Sequence, residues 1–159
     1  MLQAIRIAAA RHILGHLSSR EVPSLATAAL EAGVDTPELR ILAGQTDEPW
    51  SQIETRFHAV LNELGIPEMT RNEAGLVLAR DFARRIVAGD IPVGSGGEAI
   101  AQLCSELNFP PELVPFVAIL SERDDFQTCR TQDPARYDRL IAECDTQIVE
   151  LARSLAVAA

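Results

Sequence analysis

The sequence predicts an all-α protein, a single-domain helical bundle of about seven helices over residues 1–159. Three observations predict it. Apolar side chains recur every three or four residues through most of the chain, the spacing that lines one face of a helix. Proline and glycine fall mostly between these segments, where they start and stop helices instead of breaking them. Aromatics are only 4% of a chain that is 47% hydrophobic, so aliphatic side chains and alanine must fill the core. Alanine and leucine lose little side-chain entropy on entering a helix.

The first helix is expected from Leu2 to about Leu17, with Ile5, Ala9, Ile13 and Leu17 on one face and Ser18 and Ser19 ending it. A second, near Pro23 to Ala32, stops at Gly33, a favoured C-terminal residue. Asp35 or Thr36 then caps a short helix that opens with Pro37 and ends at Gly44. Thr46 or Asp47, followed by Glu48 and Pro49, repeats that start signal. The next stripe is Trp50, Ile53, Phe57, Val60, Leu61 and Leu64, closed by Gly65 and Pro67. Thr70 and Glu73 have the spacing of a capping box, in which each end of the pair satisfies a free backbone N–H of the other. The helix they open runs to Ala88 with a narrow polar strip, Arg80, Asp81, Arg84 and Arg85, and is expected to be central.

Residues 89–97 (GDIPVGSGG) read as a loop, and helices follow at Glu98–Leu107 and Glu112–Ser121. Pro115 falls near the first turn of the latter, where a missing N–H does least harm. Residues 122–133 (ERDDFQTCRTQD) are polar and read as a loop, after which Asp133 and Pro134 start the last helix. That helix carries Tyr137, Ile141, Cys144, Ile148, Leu151 and Leu155 as one seam at alternating four- and three-residue steps. The seam is expected to pack on the chain's own core; a homodimer through a short coiled coil is the alternative. Successive helices with short links are also compatible with stacked helix pairs.

Net charge is −9, and both halves are acidic. All 14 basic residues other than histidine are arginine. A negative field without a basic tract argues against nucleic-acid binding and against anionic lipid, and it favours a basic protein partner. No charge-free run exceeds nine residues, too few to span a bilayer. Arg6 and Arg11 interrupt the first apolar stretch, unlike the apolar segment of a secretory signal. Cys104, Cys129 and Cys144 are odd in number and far apart, as expected of reduced thiols in a cytoplasmic protein. Cys104 and Cys144 fall on apolar faces, and Cys129 lies in a polar stretch beside Arg130.

Few residues suggest chemistry. His12 and His16 are four apart on the expected first helix and would face the same way, half of a zinc or nickel site. No HExxH pattern accompanies them, so neither metal nor other cofactor is expected. The Gly94-Ser95-Gly96-Gly97 run lacks the Lys-Ser/Thr of a nucleotide-binding loop and reads as a turn needing positive φ. No nucleophile elbow or Cys/His/Asn pattern occurs, so no catalytic residue is assigned. Glu122, Asp124 and Asp125, with Asp133 further on, form an acid cluster that could steer a basic partner.

The stretch ARDFARRIVAGDIPVGSGGEAIAQLCSEL, followed by PPELVPFVAILSERDD, resembles a group of small, uncharacterised all-helical bacterial proteins. They share an ARxIVxGxIxP helix–turn and a PELxPFVxLxSExxD segment. Where such relatives often place a tryptophan or similar bulky residue after the glycine turn, this chain has Ala99-Ile100-Ala101. The resemblance covers about a third of the chain and implies a bacterial, cytoplasmic, helical domain with no activity to carry over. Together these readings lead to a non-catalytic, immunity-type or adaptor protein that engages a basic partner. The alternatives are a metal-dependent enzyme or metal sensor using His12 and His16, and a homo-oligomer built on the last helix.

Overall fold

The computed structural model describes residues 1–45 and 48–158, and the start signal expected at Thr46 or Asp47 lies outside them. The described residues form eight α-helices and no strands. They are α1 (Leu2–Leu14), α2 (Glu21–Glu31), α3 (Pro37–Ala43), α4 (Trp50–Glu63), α5 (Arg71–Ala88), α6 (Val93–Glu106), α7 (Val114–Cys129) and α8 (Pro134–Val157). None of them is long and apolar enough to cross a membrane. The chain divides into two compact units, residues 1–74 and 75–159.

The first unit is built from short helices with sharp ends. α1 stops at Gly15, whose φ of 79° reverses the chain while the His16 amide donates to the Arg11 carbonyl at 2.7 Å. This double reversal is the Schellman stop, for which glycine carries no Cβ penalty. Gly33 and Gly65 close α2 and α4 in the same way, with Val34 and Ile66 donating back to Ala29 and Leu61. The α1–α2 junction is tied by Arg11, which pairs with Glu21 at 2.8 Å and donates to the His16 carbonyl. α2 accordingly starts at Glu21, two residues before the expected Pro23, because the Glu21 carboxylate accepts the Ser18 N–H. Thr36, not Asp35, caps α3 by accepting the Leu39 N–H, and Asp35 instead grips Arg40. α3 packs between α2 and α4. Ile5, Ala8, Ala9, Val22, Ala26, Leu39, Leu42, Ile53, Phe57 and Val60 form the core of this unit.

The second unit packs α6, α7 and α8 against one another. Ile100, Leu103, Cys104, Phe116, Leu120, Cys144, Ile148 and Leu155 are buried in it, together with Val77, Leu78, Ala83 and Ile86 of α5. The seam of α8 therefore serves the chain's own core: Cys144, Ile148, Ala152 and Leu155 are covered within the chain. Burial raises the pKa of the Cys104 and Cys144 thiols, keeping them as small, protonated hydrophobes. Cys129 is half-buried at the end of α7.

Two segments expected as loops are helical. α6 starts at Val93, so Gly94, Gly96 and Gly97 lie inside a helix and none has positive φ. The glycines serve close packing instead: Gly96 and Gly97 are buried against the side chains of Ile86, Ile91, Leu120 and Ile148. α7 runs on to Cys129, through Glu122, Asp124 and Asp125. Its polar composition hides a three-residue rhythm, since Arg123, Phe126 and Cys129 are half-buried while the acids face solvent. Arg123 donates to Asp145 of α8 at 2.7 Å, and the Phe126 ring lies 6.1 Å from that of Tyr137.

Candidate functional site

The stop at Gly15 decides where the histidines go. His12 lies in the last turn of α1, but His16 lies beyond the reversal, so the two do not share a helix face. The helical four-residue spacing expected of His12 and His16 is interrupted by the left-handed Gly15 between them. What faces His12 is α4. This helix is amphipathic by the stripe already described, and burying Ile53, Phe57 and Val60 turns Glu54 and His58 toward α1. Glu54 and His58 are one helical turn apart and project from neighbouring positions on the helix surface.

One ligand atom from each of His12, Glu54 and His58 lies within 4.8 Å of the other two. The His12 Nε2 to Glu54 Oε1 distance is 3.3 Å. In a tetrahedral zinc site with metal–ligand bonds of about 2.0–2.1 Å, neighbouring ligand atoms stand about 3.3–3.4 Å apart. The His12–Glu54 edge therefore already has the length such a site needs. His58, the third member, is exposed, and its ligand nitrogen lies within 4.8 Å of the other two ligand atoms. His12 is the fixed member: its side chain is 14% exposed, and the Trp50, Phe57 and His58 ring centroids lie 5.4, 6.1 and 5.2 Å from its own.

Electrostatics favour the same use. Burial lowers the pKa of His12 below its ordinary value; the Glu54 carboxylate opposes that shift and His58 adds to it. His12 is thus neutral at neutral pH, the form that offers a lone pair to a metal. A cation between the three groups would be held by the Glu54 carboxylate and by the lone pair of the neutral His12 imidazole.

Beside the cluster is a cavity of about 170 Å³ lined by Ala9, His12, Ile13, His58, Leu61, Pro67, Glu68 and Met69. Both imidazoles reach it; Glu54 does not. A wider groove of about 540 Å³, along Glu38, Ser51, Gln52, Thr55, Arg56 and Ala59, is open surface whose main charges, Arg56 and Glu38, neutralise each other at 2.8 Å.

No protein-family model, no curated protein and no solved structure matches this chain.

Of the residues expected to act, His12 is in the cluster and His16 is not. Glu54 and His58 did not emerge from the sequence. The signal available for them was the Glu54-x-x-x-His58 spacing on a well-marked amphipathic helix. Nothing in the sequence ties that helix to His12. The acid cluster is arranged differently from expectation, though its exposure stands. Glu122, Asp124 and Asp125 project from α7, and none of the three forms an ion pair among the described residues. Asp133 stands apart from them in role: it caps α8 by accepting the Arg136 N–H at 3.2 Å.

Proposed function

We propose that this chain binds a divalent transition metal through His12, Glu54 and His58. The observation that carries the reading is the convergence of two imidazoles and one carboxylate, from two separate helices, within 4.8 Å. Two nitrogens and one oxygen suit zinc, cobalt, nickel or copper better than calcium or magnesium, which prefer all-oxygen shells. Three protein ligands also leave a fourth position open, the arrangement of catalytic and sensory sites rather than of closed structural ones. The test is metal titration of tag-free protein by calorimetry and by Co²⁺ visible absorption. One ion per chain is expected, with affinity reduced at least tenfold in His12→Ala and in His58→Ala and unchanged in His16→Ala. A folded wild-type protein that takes up no stoichiometric Zn²⁺ or Co²⁺, or an effect of His16→Ala equal to that of His58→Ala, overturns the reading.

A second reading rests on a different observation, the unpaired acids of α7. Glu122, Asp124 and Asp125 on one rigid helix support an immunity-type or adaptor role toward a basic protein, through long-range attraction and orientation. Pull-down from the native host, comparing wild type with Asp124→Arg/Asp125→Arg, tests it. A basic protein retained only by the wild type is expected; the same retention by both sinks this reading.

A further inference from the structure

We infer that the fourth coordination position of this metal site opens into the adjoining cavity and takes a small carboxylate with a short aliphatic tail. The inference rests on the metal reading above and adds the ligand class. Its first ground is placement. His12 and His58 are among the residues that line the cavity and Glu54 is not, so the cavity adjoins the cluster at its two histidines. The second ground is the wall. Ala9, Ile13, Leu61, Pro67 and Met69 make the surface beyond the imidazoles almost wholly apolar. An apolar wall gives nothing to a water cluster but covers methylene groups well. The third ground is size: about 170 Å³ is below the roughly 300–1,000 Å³ of sites that hold drug-sized molecules, so the occupant has only a handful of heavy atoms.

Charge selects the head group. A divalent ion held by neutral imidazoles and one carboxylate keeps a net positive charge, which a monoanion cancels. Carboxylate oxygen is also a competent ligand for zinc or cobalt at about 2.0–2.2 Å. Glu68 also lines the cavity but is exposed, and solvent screens its repulsion of an incoming anion. The head therefore binds the metal while the tail lies along Ile13, Leu61 and Met69.

The test uses the full chain loaded with Co²⁺ and titrated with acetate, propionate, butyrate and hexanoate, reading the visible absorption bands. Each carboxylate is expected to shift the bands. Affinity should rise roughly threefold to fourfold per added methylene, the gain from burying one CH₂, and should stop rising at hexanoate. Ile13→Phe and, separately, Leu61→Phe place a ring in the cavity; each is expected to leave the carboxylate-free Co²⁺ spectrum unchanged and to weaken butyrate binding at least tenfold. Bands that do not move with carboxylate overturn this inference alone and leave the metal reading standing. Band shifts that are equal for acetate and butyrate, and indifferent to both variants, overturn the role of the cavity. A protein that develops no Co²⁺ bands removes the metal reading and this inference with it.

Discussion

At the scale of single residues, the glycines of α6 show how one residue type serves two opposite purposes. Gly15, Gly33, Gly65 and Gly89 are used for their left-handed φ, and each stops a helix. Gly96 has a helical backbone and is used for its missing side chain. A Cβ built there would stand 2.7 Å from Ile86 Cδ1 and 2.9 Å from Ile91 Cδ1, closer than real carbons approach. Replacing a helical glycine with alanine ordinarily gains about 1 kcal/mol of helix propensity. Overpacking a close contact costs about 1–3 kcal/mol, and Ile86, buried and met along its chain at Cγ1 as well as at Cδ1, has little room to withdraw. Gly96→Ala is therefore expected to lower stability by up to about 2 kcal/mol. Gly97→Ala should cost less, because its nearest neighbour, Leu120 Cδ2, is 3.3 Å away and can yield. Urea denaturation of both variants, with unchanged slope, checks the order; a more stable Gly96→Ala protein refutes the packing account.

At the scale of the element, helix starts and stops were largely legible, because they depend on neighbours in the chain. The Thr70–Glu73 box forms as its spacing predicts: the Glu73 carboxylate accepts the Thr70 N–H at 2.7 Å, and Thr70 Oγ1 accepts the Glu73 N–H at 3.3 Å. The bond from the Thr70 backbone, then that from its hydroxyl, holds Glu73 below the usual carboxylate pKa. The folded protein thus binds fewer protons at this site than the unfolded chain. The resulting stability is fully present above the ordinary carboxylate pKa and is lost as pH falls through the lowered folded value. Glu73→Gln is expected to reduce the loss of stability between about pH 6 and pH 3, as measured by denaturant melts; an unchanged pH slope would show that the box has no electrostatic share. Elements whose cause lies outside the chain neighbourhood were less legible. Residues 122–129 are polar in composition, yet α7 continues through them because Arg123 and Phe126 find Asp145 and Tyr137 on α8. Val93 to Gly97 look like a turn until a neighbour that needs bare backbone is supplied.

At the scale of the whole molecule, what composition shows is average, and what function needs is a meeting of particular residues. The −9 charge and aliphatic makeup marked an acidic helical protein. They could not bring His12 to Glu54 and His58, since only the packing of α1 and α4 around Ile5, Ala9, Ile53 and Phe57 does that. The two-unit division then localises the consequence. All three proposed ligands lie in residues 1–74. An ion that binds the folded form and not the unfolded one adds about 2.7 kcal/mol at a hundred times its dissociation constant. That energy opposes every opening which separates α1 from α4. Amide hydrogen exchange with and without Zn²⁺ should accordingly slow by up to about a hundredfold in α1 and α4, while α7 and α8 keep their rates. Slowing that is uniform over the chain would mean that both units open together. Slowing confined to α7 and α8 would place the ion on Glu122, Asp124 and Asp125 instead, and the imidazole cluster would then be an ordinary packed pair beside a carboxylate.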